Sequence, residues 1–100
     1  MRFSFKKKKI EKLYTEEKDA HKYPKNVVDN FFEIIAIIES IESEQDLYTF
    51  KGLRFEKLSG KRGNRGERSL RLNDQYRLII ILEIDEEGKY LLIVDIEDYH

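Results

Sequence analysis

The chain has 100 residues, 40% apolar and 12% aromatic, with no cysteine and a formal charge of −1. That is enough for one domain with a modest core, and it excludes a disulfide framework, a thiolate metal site and a chain too polar to fold. The near-zero charge conceals a sorted distribution: nine Lys/Arg against four Asp/Glu in residues 1–25, six acids and no base in 26–50, nine bases against three acids in 51–77, and seven acids against one base in 78–100. Such blocks predict a basic face on a near-neutral protein, unless they neutralise one another across the fold. No apolar run approaches the roughly 20 residues needed to span a membrane. The basic N-terminal residues lack the apolar stretch of a signal peptide. A soluble, cytoplasmic protein is expected.

Phe3 and Phe5 alternate with Arg2 and Ser4, which predicts a short first strand. From Lys6 to about Glu17, Ile10, Leu13 and Tyr14 fall at helical spacing. Ala20 to Pro24 is a break, with Pro24 suited to the first turn of the next helix and Asn26 an alternative cap. The spacing of Val28, Phe31, Phe32, Ile34, Ile35, Ile37, Ile38 and Ile41 predicts a second helix over about 25–43, with Asp29, Glu33 and Glu39 on its wet side. These apolar residues read as core. Asp46 is a candidate cap for a last helical turn through Leu47 and Tyr48.

After Gly52 the period changes to two. Leu53, Phe55 and Leu58 alternate with charged residues as in a half-wet strand. Ser59 to Gly66 reads as a loop by composition. Ser69 to Leu72 is a second strand, Asn73-Asp74 a turn, and Tyr76 to Ile84 a β-branched central strand. Asp85 to Gly88 turns the chain into a last strand, Lys89 to Glu97. One strand, two helices and four strands on short turns predict an α+β domain. Its helices pack on one side of an antiparallel sheet. No repeat or linker is present.

A hairpin of the last two strands brings Asp98, Tyr99 and His100 near Tyr76 and Arg77, and the Asn73-Asp74 turn adds Arg71. The basic segment with Lys57, Lys61, Arg62, Arg65 and Arg68 borders this end. Arginine forks suit phosphate, and glycines allow backbone N–H groups to approach it. The set fits RNA cleavage by general acid–base chemistry. His100 would transfer one proton, a carboxylate such as Glu56 would accept the other, and Arg71 and Arg77 would stabilise the phosphorane. Tyr76 and Tyr99 would offer stacking faces for bases. Exposed polar groups at a chain end and ordinary strand-edge arginines would give the same pattern. His21 falls in the polar inter-helix break and reads as solvated. Two histidines without cysteine form no recognisable metal-ligand set, and no cofactor is expected.

Three stretches carry a family resemblance. They are Gly52-Leu53-Arg54-Phe55-Glu56-Lys57-Leu58-Ser59-Gly60, Ser69-Leu70-Arg71-Leu72-Asn73-Asp74-Gln75-Tyr76-Arg77, and the final Glu97-Asp98-Tyr99-His100. Together they resemble the HigB toxins of the RelE-like (RelE/ParE) toxin–antitoxin superfamily, and the N-terminal Arg2-Phe3-Ser4-Phe5-Lys6 and helical middle are also similar. The resemblance implies a compact RelE-like fold and an mRNA endonuclease acting in the ribosomal A site. It also implies a HigA-type helix-turn-helix antitoxin as partner, with operator DNA reached only through that antitoxin. Asp98, Tyr99, His100 and Arg77 match family positions implicated in catalysis or RNA contact. Glu56 stands where some members carry histidine, and the Gly60–Gly66 insert is longer and more basic than in relatives. A non-catalytic RNA- or antitoxin-binding module, a degenerate toxin, is the alternative.

Overall fold

The computed structural model describes residues 1–99; His100 lies outside the described residues. Along the chain run β1 (Phe3–Phe5), α1 (Lys8–Glu16), α2 (Lys25–Ser40), β2 (Glu56–Lys57), α3 (Gly60–Asn64), β3 (Glu67–Arg71), β4 (Tyr76–Asp85) and β5 (Gly88–Asp98). Single 3₁₀ turns cover Ala20–Lys22, Glu44–Thr49 and Lys51–Leu53. The strands form one sheet in the order β1-β5-β4-β3-β2. β2 to β5 pair antiparallel, while β1 lies parallel to β5, Phe3 opposite Leu91 and Phe5 opposite Ile93. The sheet is therefore mixed rather than wholly antiparallel. The segment after β1 is helical, so β1 has no hairpin partner and takes the free edge of β5 instead.

The alternation of β3 to β5 sorts the sheet into two faces. Leu70, Leu78, Ile80, Leu91, Ile93 and Ile96 are buried against Ile10 and Leu13 of α1 and Val27, Phe31, Ile34, Ile35 and Ile38 of α2. Tyr14 of α1 wedges among Phe3, Phe5 and Phe32, with ring centroids 5.5 to 6.0 Å apart, which clamps the short β1 under both helices. α2 stops at Ser40, short of the expected 43. Asp46 is not the cap of the following turn. It sits one turn in and accepts the backbone N–H groups of Glu42 (3.1 Å) and Ser43 (3.3 Å), so the chain bends before a helix could continue.

The segment expected as one strand over 53–58 and one loop over 59–66 folds differently. Lys51–Leu53 is a 3₁₀ turn, Arg54 takes a left-handed conformation (φ 46°), and β2 keeps two residues. The glycine-rich stretch then forms α3, bracketed by Gly60 and Gly66 at φ 66° and 88°. Gly63 is required for a different reason. A Cβ there would stand 1.8 Å from the Leu58 carbonyl oxygen, so only glycine lets α3 lie against the backbone leaving β2.

Four side chains, Arg62, Arg65, Glu67 and Glu97, fix α3 to the sheet. Arg62 donates from Nε and Nη2 to Oε1 of Glu67 (3.0 and 2.8 Å), and from Nη1 and Nη2 to the two oxygens of Glu97 (2.8 and 2.7 Å). Arg65 reaches the other oxygen of Glu67 at 3.2 Å. Glu67 and Glu97 belong to β3 and β5, on the face turned away from α1 and α2, so Arg62 spans β4. Burial of Glu67 would raise its carboxyl pKa, but hydrogen bonds from Arg62 and then Arg65, with their charges, hold it below the ordinary range. The hydrogen bonds to Glu97 and then Glu67 in turn push the Arg62 guanidinium up.

Two outcomes follow from this packing. Gly63→Ala should lower unfolding stability by about 1–3 kcal/mol through overpacking against backbone. Gly52→Ala, where a Cβ meets nothing within 4 Å, should stay within about 0.5 kcal/mol in the same urea titration. A depressed carboxyl adds stability that is complete above its unfolded pKa, about 4.3, and is lost as pH falls through the folded value. Glu67→Gln should therefore flatten the acid limb of a plot of urea midpoint against pH below about 4.5. An acid limb identical to that of the unaltered protein would show that Glu67 is not what titrates there.

Candidate active site

The turn between β3 and β4 is held by one asparagine. Asn73 Oδ1 accepts the N–H groups of Gln75 (2.8 Å) and Tyr76 (2.7 Å), a side-chain mimic of a turn hydrogen bond. α2 grips the same turn: Asn30 Nδ2 donates to the Leu72 carbonyl (2.6 Å), and Asn73 Nδ2 donates to Asn26 Oδ1 (3.2 Å). With the turn fixed, Arg71 stands opposite Arg77, and Arg77 stands opposite Glu97 on the other side. These three share the face away from α1 and α2, because their neighbours Leu70, Leu78 and Ile96 point into the core.

Arg77 donates through Nη1 to the carbonyls of Asn73 (2.7 Å) and Tyr76 (3.2 Å). Its guanidinium carbon lies 4.9 Å from the centre of the Tyr99 ring, within cation–π range. Among the described residues it forms no ion pair. Tyr99 is half-exposed and is anchored by its N–H, which donates to the Gln75 carbonyl at 2.5 Å. Asp98 is opposite Tyr76 and accepts a hydrogen bond from Gln75 Nε2 at 3.0 Å. Arg71 pairs with the exposed carboxylate of Asp74. Glu56 of β2 is exposed and paired with Ser69, which puts it on the face of Arg71 and Arg77. The arrangement holds a cation, a neighbouring arginine, an aromatic ring and a carboxylate on one face. An anion such as a phosphate, flanked by a planar group, is what such a surface suits.

Sequence reasoning brought together Arg71, Arg77, Tyr99 and Asp98 at one end of the sheet, and the structure places them there. His100 lies outside the described residues. Arg62, Arg65, Arg68 and Tyr76, also expected to contact RNA, are engaged within the fold. Arg62 and Arg65 do not line a flexible phosphate-binding loop; they are engaged by Glu67 and Glu97 in fixing α3. Arg68 points to the helix-bearing side, lining a small pocket with Glu44, Phe55 and Leu82, because it alternates with Glu67 and Ser69. Tyr76 is no free stacking platform; its ring packs edge-on against Tyr23, centroids 6.2 Å apart. Lys57 and Lys61 are exposed near α3. His21 is exposed in the 3₁₀ turn between α1 and α2. The roles of Asn73, Gln75 and Glu97 were missed. The Asn-Asp pair signalled a turn, but nothing local signals that its carbonyl would hold Arg77. No helix of the described residues is long and apolar enough to cross a membrane, and no group of three His, Cys, Asp or Glu among them could hold a metal ion.

Comparison with known proteins gives the fold and the family. Over its full length the chain superposes on a YoeB/ParE toxin from Agrobacterium tumefaciens, also covered entirely, with a TM-score of 0.59 at 13% identity; this likeness shows the fold, a RelE-like one. It is 35% identical to Toxin HigB-1 of Vibrio cholerae over 79 residues, 79% of this chain and 81% of that protein. Residues 3–100 match the HigB-like toxin family, described as the RelE-like toxin of type II toxin–antitoxin system HigB. A toxin of such a system has an antitoxin as its partner. With its RelE-like fold, the chain therefore belongs to the HigB-like family of type II toxin–antitoxin toxins.

Proposed function

We propose that this toxin is a metal-independent mRNA endonuclease that cleaves translated mRNA in the ribosomal A site in the cytoplasm, so blocking translation, and that a HigA-type helix-turn-helix antitoxin neutralises it. Family membership supports the class. The observation that carries the site is Arg77, a guanidinium held by two carbonyls and an aromatic ring, with no carboxylate paired to it among the described residues.

Cleavage requires the 2′-hydroxyl to lose a proton and attack the adjacent phosphorus, while the 5′-oxygen leaves with a proton. Arg77, assisted by Arg71 once it leaves the exposed Asp74, stabilises the negative charge that builds on the phosphorane oxygens. Tyr99 stacks on a splayed base. Glu56 is the proposed base and His100 the proposed acid. The Gln75–Asp98 hydrogen bond holds the end of β5 next to Tyr99. Both proton-transfer roles come from residue chemistry and the family resemblance.

The test is cleavage of a defined mRNA by purified toxin with and without ribosomes, mapped by primer extension. Arg77→Ala should reduce the cleavage rate about 100-fold or more, the scale for losing one oxyanion donor. Tyr99→Phe should keep most activity and Tyr99→Ala lose it, if the ring rather than the phenol is used. His100→Ala should abolish growth arrest on induction without antitoxin. Ribosome or RNA binding that weakens with salt, with no cleavage at any toxin concentration, would replace this reading with a non-catalytic binding module.

A further inference from the structure

Arg77 and Glu97 are direct cross-strand partners on one face. In that position opposite charges sit about 5 Å apart at Cβ and ordinarily pair. Here they do not. Both oxygens of Glu97 are taken by the fork of Arg62, at 2.8 and 2.7 Å, and Arg77 turns to the Asn73 and Tyr76 carbonyls and the Tyr99 ring. Glu67, on the same face, is held by Arg62 and Arg65. Glu67 and Glu97, which flank β4 on that face, are thus both bound by arginines of the α3 segment.

We propose that Arg62 is a positioning residue for the anion site: by sequestering Glu97 it prevents a Glu97–Arg77 ion pair and keeps the Arg77 charge available for an RNA phosphate. The inference rests on the RNA-binding reading above, and adds that α3 sets the charge of the site without touching the substrate. Arg62 is about 40% exposed, so the competing account is that it contacts phosphate itself.

The two accounts separate in a charge-compensated pair of variants. In the unaltered protein, the Tyr99 ring current should shift the Arg77 side-chain proton resonances upfield. Arg62→Gln should remove that shift as Arg77 swings to Glu97, and Arg62→Gln/Glu97→Gln should bring it back. This readout needs no RNA. The second readout is binding of a 2′-O-methyl single-stranded oligoribonucleotide, with ribosomes present, across about 50 to 200 mM salt. Arg62→Gln should weaken binding about tenfold and lower the slope of log affinity against log salt by about 0.7, the value for one single-strand phosphate contact. The double variant should match Glu97→Gln alone in both affinity and slope. If Arg62→Gln does not fold, that last comparison still decides: a further loss in the double variant relative to Glu97→Gln means direct phosphate contact and overturns the proposal. An Arg77 ring-current shift unchanged in Arg62→Gln also overturns it. If the unaltered protein binds no RNA while the resonances behave as stated, it is the RNA-binding reading that falls.

Discussion

The pairing register of β4 with β5 is the constraint on which the site depends. Strand side chains alternate with period two, so a slip of one residue moves every group to the other face. On β5, Leu91 and Ile93 face the core, and so does Ile96, three residues later. Regular alternation cannot place both Ile93 and Ile96 inside. The register break between Ile79 and Ile80, where Ile79 faces Asp95 and Ile80 faces Ile93, absorbs the extra residue. The bulge thereby turns Glu97 and Tyr99 to the face of Arg77 and Arg71. Without it, the ring that backs Arg77 would be aimed at α2, and Ile96 would be in water.

The register is in turn held at two points near the start of β4. At the β3–β4 turn, Asn73 satisfies two backbone donors and offers its carbonyl to Arg77, while Asn26 and Asn30 tie the turn to α2. At the bulge, Asp95 is nearly buried and is met by Lys7 at 2.5 Å and Lys9 at 3.6 Å. Its contact, by hydrogen bond and then charge, pushes the Lys7 ammonium up. A carboxylate so placed is tolerable only when paired. The lysines after β1 therefore serve the neighbouring β5, and Asp95 offsets the unfavourable placement of their positive charge at the start of α1.

Much of the architecture was legible because apolar period decides it. The two main helices, the β4–β5 hairpin and the facing of Leu70 and Leu72 follow from spacing alone. The segment from Leu53 to Gly66 was not legible. Leu53, Phe55 and Leu58 mimic strand alternation, yet Arg54 takes a left-handed conformation and breaks it. The glycines of α3 read as flexibility, whereas Gly63 is there because a backbone carbonyl occupies the space of its Cβ. The bulge was hidden by residues 91–94, which are apolar on both parities, so no pattern marked where the alternation changes. The charge blocks were visible, but their fate depended on tertiary pairing: Arg2 with Asp85, Lys7 with Asp95 and Arg62 with Glu97 each join a basic block to the last acidic one. The basic face that composition suggests is correspondingly smaller than the count of arginines.

That neutralisation makes the exceptions informative. Ion pairs between exposed side chains contribute little to stability, so a fold loses little by leaving one arginine unpaired. It would lose more by giving that arginine a fixed carboxylate partner if an anion must later displace it, since the incoming phosphate would have to compete with a group already in place. Arg77 is held instead by neutral groups, two carbonyls and an aromatic face, which orient the guanidinium without cancelling its charge. Arg71 pairs with Asp74, on an exposed turn where water screens the pair. Arg62 and Arg65, whose carboxylate partners lie on the sheet, are those that hold α3. Partner choice thus divides these arginines into those fixed by the sheet's carboxylates and those held by neutral groups or by a screened pair.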